Sequence, residues 1–375
     1  MRARGARQPR VPRFWPHRLR ARARRQDADP LGGFIDPSVL KGLVERLVQV
    51  ARQQKIVRGG RLRVDTTVVE TNIHYPTDSA LLADGVRVLT RTMQRLRARV
   101  RAAGAHVRDR TRRVARRVFE LAQRSRTATG RSKPTVRARS QARMTHLYRQ
   151  LMRITRAVVR DAAVVGAAVD RRPAAALSGM REHLRTTVGL VQRVLAQTRA
   201  RVLKGDTHYP DKVLSLFEPH TEAIRKGKAA TPTEFGKVVK IQEAEAQFIT
   251  DYEVCETRVP DGTLWIPSLD RHLQLFGRPP RVAVADAAFA SQRNARAAAA
   301  RGVRYVALPR GQRSPVPRWF RRALRWRTGC EGRISVLKRR HGLARCRYRG
   351  LAGMERWVGL GVIANNLWVL GRASP

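Results

Sequence analysis

Three acidic residues stand in unusual company. Asp65 is set in the β-branched run V-D-T-T-V-V-E-T, Asp286 closes the apolar run R-V-A-V-A-D, and Glu331 lies in the arginine-rich segment R-W-R-T-G-C-E-G-R. A lone carboxylate in a buried strand incurs a desolvation penalty unless something cationic meets it. Brought together, the three would repel, each pair by roughly 4 kcal/mol at ~4 Å and an effective dielectric of ~20. They converge stably only around protons or cations, and an all-oxygen ligand set suits hard divalent ions, Mg²⁺ or Mn²⁺. Two such ions about 3.5–4 Å apart can clamp the attacking and leaving oxygens of a phosphodiester during in-line displacement.

The segment around Glu331 carries more information than the other two. Arg327, Glu331 and Lys338 are spaced by four and seven, which puts them on one face of a helix. Cys330, Ile334 and Leu337 repeat that spacing on a neighbouring apolar face. A carboxylate between two cations suits a metal ligand beside phosphate-binding groups, and it equally suits a surface salt-bridge stripe. A single aspartate beside a strand is more often a cap or a surface residue. The order of the elements that position these acids therefore has to decide.

A helix is expected over 37–57, with Asp36 as N-cap ahead of Pro37. In the strand that follows, Leu62, Val64, Thr66 and Val68 share one face by period two, and Arg63, Asp65 and Thr67 the other. From Ser79 to Val202 apolar residues recur at three and four, interrupted at 130–135 and at Arg171–Pro173, and this predicts three long amphipathic helices with basic outer faces. Strands are expected at K-V-L-S-L-F-E-P, G-K-V-V-K-I-Q and Q-F-I-T-D-Y-E-V-C-E, then a helix at Ser268–Phe276 and the strand ending at Asp286. A helix closing on Gly302, the strand V-R-Y-V-A-L-P and helices at 316–341 and 353–371 complete the chain. H-Y-P occurs at His74–Pro76 and again at His208–Pro210, flanking the helical block, where prolines end elements.

With that block set aside, the order is strand, strand, strand, helix, strand, helix, strand, helix. The expected fold is α/β: an RNase H-like mixed sheet with a large basic all-helical insertion after the first strand, and C-terminal helices. The implied organisation is a disordered basic arm (1–35), an N-terminal helical remnant (36–58), the first part of a catalytic domain (59–78), the insertion (79–205) and the remainder of the catalytic domain (206–375).

The chain has 375 residues, with 78 Lys+Arg against 28 Asp+Glu and a formal net charge of +50. That excess calls for a polyanionic partner, nucleic acid before membrane, and for strongly salt-dependent binding. Arginine far outnumbers lysine, a bias that GC-rich coding also produces, so the charge alone does not say which polyanion. Three cysteines without C-x-x-C spacing imply neither a disulfide framework nor a zinc site and fit a reducing compartment. No apolar run reaches the roughly 20 residues of a membrane span, and no apolar segment follows the basic N-terminus as in a signal peptide. A cytoplasmic protein is expected. G-x-G-x-x-G, P-loop and H-E-x-x-H motifs are missing, so neither a nucleotide cofactor nor zinc is expected. His74, His208 and His341 are expected in solvent or core positions rather than beside the acids.

The passages R-V-D-T-T-V-V-E-T-N-I-H-Y-P-T-D-S, L-F-E-P-H-T-E-A-I-R-K-G-K-A-A-T-P-T-E-F-G, F-G-R-P-P-R-V-A-V-A-D-A-A-F, E-G-R-I-S-V-L-K-R-R-H-G-L-A-R-C-R-Y-R-G and E-R-W-V-G-L-G-V-I-A-N-N-L cover most of 60–370. In them the sequence resembles a DDE transposase of bacterial insertion sequences, close to the ISNCY group. The resemblance implies the catalytic, metal-binding triad Asp65, Asp286 and Glu331, with probably two Mg²⁺ or Mn²⁺ ions. It also implies cutting and joining of double-stranded DNA at element ends and at the target, by a dimer on DNA in the bacterial nucleoid. The wider signature of tyrosine, arginine, glutamate and lysine is matched at Arg327, Glu331 and Lys338, while Leu324 stands at the tyrosine position. Arg327 and Lys338, with Arg333, Arg339 and Arg340 on the same helix, are the expected DNA contacts. Related enzymes often carry Arg-Gly after the second aspartate, where this chain has Ala287-Ala288. Only about 60 residues precede the first strand, fewer than is usual in the family. These departures predict a truncated or frame-shifted copy and keep open two alternatives: a catalytically inactive remnant that only binds DNA, and a sequence-independent nuclease of the same fold.

Overall fold

The structure, a computed structural model, describes residues 34–100, 107–129, 133–171, 175–225, 232–309 and 316–373. The basic arm expected over 1–35 falls outside these, apart from Phe34 and Ile35. The chain forms two compact units, one built from the segments up to Asn72 and from His220 onward, the other from Ile73–Pro219.

The first unit opens on α1 (Pro37–Gln53), where the Asp36 carboxylate accepts from the Ser38 N–H at 2.9 Å and Pro37 occupies the first turn. Strand β1 (Arg61–Glu70) pairs antiparallel with β3 (Glu234–Glu243). Along the far edge of β3 run two shorter strands, β2 (Glu222–Ile224) at one end and β4 (Ile249–Val254) at the other. On its other side β1 pairs parallel with β5 (Val282–Val284), which pairs parallel with β6 (Tyr305–Ala307). The result is a mixed sheet with its antiparallel pairs on one side of β1 and its parallel pairs on the other, consistent with an RNase H-like fold.

Helices cover both faces. On one, Leu62, Val64 and Val68 pack with Trp265 and Leu269 of α6 (Trp265–Phe276) and Ala298 of α7 (Gln292–Ala300). On the other, Val69, Val239 and Ile241 pack with Val44 of α1, Leu337 of α8 (Arg318–Arg340) and Val358 and Val362 of α9 (Gly350–Ala373). This is why all eight residues from Leu62 to Val69 are buried although only one face alternates apolar. Gly302, at φ +82°, follows the last turn of α7 as the C′ residue expected there.

The second unit has four helices where three were expected: α2 (Asp78–Arg99), α3 (Thr111–Thr129), α4 (Pro134–Asp170) and α5 (Ser178–Lys204). Asp109, which accepts from both the Thr111 N–H and its hydroxyl, starts α3 as a separate helix. Leu82, Leu89, Leu151, Val158 and Val191 build a core of their own. The strand expected at K-V-L-S-L-F-E-P does not form. Val213 is buried in the helical core, and the Gln197 side chain accepts from its N–H at 2.9 Å and donates to its carbonyl at 3.1 Å. One amide thus supplies the backbone bonds that a neighbouring strand would have given.

His272 of α6 is fully buried, and Nε2–H donates to the Gly59 carbonyl at 3.0 Å while Nδ1 has no partner. Burial lowers its pKa from the usual 6.5 to about 4. The neutral ring therefore contributes stability that is complete above pH 6.5 and is lost as pH falls from there toward 4, because the unfolded chain takes up the proton first. Thermal unfolding followed across that window should show a Tm that falls with pH, and His272→Gln should flatten the fall.

Candidate active site

The site begins with a buried charge pair. Arg63 and Glu243 are direct partners in the β1–β3 register, and both point to the face covered by α8. Arg63 Nε donates to Glu243 Oε2 at 2.9 Å and Nη2 donates to Oε1, a bidentate fork with both side chains within 4% of full burial. The remaining arm of the guanidinium, Nη1, donates to the Trp326 carbonyl of α8, and the Trp326 ring lies 4.8 Å from the guanidinium carbon. Gly329 lets the helix come this close, since a Cβ there would sit 2.6 Å from Arg63 Nη1.

Two residues further along each of the parallel strands β1 and β5, from the register pair Arg63 and Val284, stand Asp65 and Asp286. Strand alternation puts them on the same side as Arg63 and Val284, and Val284 packs under Phe320 and Ala323 of α8. Asp65 is 8% exposed, and its Oδ1 accepts from the Thr66 N–H at 2.8 Å. Asp286 is half-buried and opens a short 3₁₀ turn, Ala287–Phe289, where its carboxylate accepts from the Ala288 N–H at 2.9 Å. Neither Ala287 nor Ala288 has a positive φ, so this turn forms without the glycine of related sequences.

From α8, Arg327 reaches both remaining acids. Its Nη1 lies 3.9 Å from Asp65 Oδ2, and its Nη2 donates to Glu331 Oε1 at 3.2 Å. Glu331 is largely exposed, with 65% of its side chain in solvent. The structure thus brings Asp65 and Glu331 to one guanidinium and puts Asp286 on the strand next to Asp65. Among the described residues, no three His, Cys, Asp or Glu side chains stand close enough to hold one metal ion. The donor chemistry nonetheless fits a hard divalent cation, because the three groups offer carboxylate oxygens only and Glu331 has room to turn.

The expected DNA contacts divide. Arg339 and Arg340 are exposed on the last turn of α8. Lys338 is half-buried, 3.7 Å from Glu234 Oε1 at the start of β3. Arg333 is corrected: it is an interior residue, 4% exposed. Its Nη1 donates to Asn365 Oδ1 at 2.9 Å, its Nη2 donates to Gln247 Oε1, and its Nε lies 4.0 Å from Glu243. Gln247 has a left-handed backbone, φ +64°, in the β3–β4 turn, so Arg333 ties that strained turn to α8 and α9. The sequence did carry a signal, since Arg333 falls three residues after Cys330 and four before Leu337, on the apolar stripe. Burial raises the pKa of Glu243, and it raises that of the Cys330 thiol well above the usual range, helped by the neighbouring Glu243 and Asp65. The partners that sequence reasoning missed, Glu243, Gln247 and Asn365, lie far away along the chain. Leu324, at the signature's tyrosine position, packs with Phe320 and Ala323. His74 lies 3.4 Å from Asp84 within the helical unit, His208 is exposed, and His341 is half-buried after α8.

Residues 292–370 match the family model described as Transposase DDE domain. The matched stretch runs from α7 through most of α9 and contains Arg327, Glu331 and Lys338, while Asp65 and Asp286 lie before it. No curated protein matches the chain, and no solved structure does. The C-terminal region of this protein is therefore a transposase DDE domain, built onto a sheet whose earlier strands carry the two aspartates. Among the described residues no helix is long and apolar enough to cross a membrane.

Glu243→Gln should be severely destabilising, since it leaves Arg63 and Arg333 buried without a counter-charge. Breaking such a pair costs about 3–5 kcal/mol, and denaturant unfolding would measure it. An unfolding free energy within ~1 kcal/mol of the parent would contradict the central place given to this carboxylate.

Proposed function

We propose that the protein is a transposase that cleaves DNA at the ends of an insertion sequence and joins the freed ends to target DNA. The observation that carries this reading is the double contact of Arg327 with Asp65 and Glu331, which puts the glutamate of the family-matched segment beside an aspartate outside it. Asp65, Asp286 and Glu331 would hold Mg²⁺ or Mn²⁺. When bound, the ions would supply charge neutralisation at the attacking and leaving oxygens of the phosphodiester. The residues of the chain itself do the rest. Asp65 and Asp286 present carboxylates from two adjacent strands, the least mobile elements available. Arg327, once it exchanges a carboxylate for a phosphate oxygen, orients the scissile group by its planar fork. Arg339 and Arg340 hold the flanking backbone, and Lys338 joins them by turning from Glu234. Hydrolysis frees a 3′-hydroxyl, which then attacks a phosphodiester of the target.

The position of the Arg327 guanidinium between Asp65 and Glu331 also favours a second reading, a chain that binds DNA through its charge without turnover. Asp65→Asn separates the two. On end DNA with Mg²⁺ or Mn²⁺, the parent should cleave and join strands, and the variant should lose both by at least a hundredfold while its binding is unchanged. A parent that binds but never cleaves, even with Arg-Gly restored at 287–288, establishes the binding-only reading.

A further inference from the structure

The helical unit carries its charge unevenly. Over residues 73–219, 32 lysines and arginines stand against 10 acids. Many of those acids are already engaged by arginines of the unit itself. Asp78 meets Arg201, Asp84 meets Arg87, Glu120 meets Arg143, and Asp170 meets Arg181 and Arg185. On α4, Asp161 is taken by Arg110 at 2.6 Å.

One row of arginines on α4 is left out of this pairing. Arg149, Arg153, Arg156 and Arg160 are spaced four, three and four, so they form a single stripe along the helix, and all four are exposed. Among the described residues none of them meets a carboxylate. The opposite side of the same turns, Leu151, Met152, Thr155 and Val158, is buried in the core of the unit, which fixes the stripe outward. Like charges at this spacing weaken a helix. The exposed stripe itself holds no asparagine, glutamine, serine or threonine that would read base edges. Its ends are 11 residues apart, about 16 Å at ~1.5 Å per residue, a length that crosses about five phosphates of one strand at ~3.4 Å each.

We propose that this stripe is a duplex-DNA backbone tracker: Arg149, Arg153, Arg156 and Arg160 contact successive phosphates without reading sequence. The choice of DNA rests on the transposase reading above. The contact itself needs no catalysis, since a rigid row of unpaired guanidinium forks matches a row of phosphates by charge and geometry.

The test uses the full chain without metal ions, in the Asp65→Asn background, so that the outcome is independent of cleavage. One variant carries alanine at 149, 153, 156 and 160. A second carries alanine at Arg91, Arg112, Arg124 and Arg199, four exposed arginines dispersed over α2, α3 and α5, and so removes the same charge. Affinity for random-sequence duplexes is followed against salt. Each lost phosphate contact lowers the log–log slope by about 0.9, so the stripe variant should lose about 3.6. Relative to that variant, the unaltered chain should then lose about a hundredfold more affinity between 50 mM and 200 mM salt. The dispersed variant should lose less than one unit of slope, and neither should change Tm by more than about 2 °C, since the substituted side chains are exposed. Equal slope losses in the two variants would overturn the proposal, as would a loss confined to RNA or to anionic vesicles with duplex binding intact. Should the parent chain prove unable to cleave while the stripe variant still loses its slope, the transposase reading fails and the tracker stands.

Discussion

The buried fork between Arg63 and Glu243 is the constraint on which the rest of the first unit depends. Two charges withdrawn from water add little net stability even when well paired. What they add is selectivity. A one-residue slip of β1 against β3 would turn Arg63 to the opposite face, against Trp265 and Leu269, and leave Glu243 unpaired in the interior. The register that avoids this also points Asp65 toward α8. Because the third arm of the guanidinium holds the Trp326 carbonyl, the same residue sets how closely α8 lies on the sheet. Gly329 is part of that arrangement, as the position where the helix meets the guanidinium with no side chain between.

Above this layer the charges are graded from buried to exposed. Glu243 is sealed, Asp65 is nearly so, Asp286 is half-exposed and Glu331 is in solvent. Arg327 sits across the gradient and neutralises its two ends. Carboxylates arranged in this way have a rigid inner member and an adaptable outer one. That combination suits a site that must accept cations and a phosphate without remaking its floor. The residues after Asp286 fit the same economy, since two alanines close the turn with ordinary backbone angles.

The helical unit solves a different problem. Its core is made entirely from its own four helices, and Gln197 completes the backbone bonds of the segment that leaves it. Acids are few and are spent on holding neighbouring helices together. The arginines left over gather on solvent faces, where their mutual repulsion is a standing demand for a polyanion.

Much of this architecture could be read directly from the chain. Period-two alternation marked β1, Asp36 with Pro37 marked the start of α1, Gly302 marked the end of α7, and the four-and-seven spacing put Arg327 and Glu331 together on one helix face. Such signals are local, because caps, turns and helix faces depend on neighbours within about seven residues. Only the tertiary structure could decide the partners. Arg327 and Arg333 are the same residue type on the same helix, yet one joins two candidate site acids and the other is buried beneath them as a strut. That difference is set by Glu243, Gln247 and Asn365, and for Arg63 by a glutamate 180 positions away. No local pattern encodes those pairings, since they exist only once the β1–β3 register and the packing of α8 have removed water from between the charges.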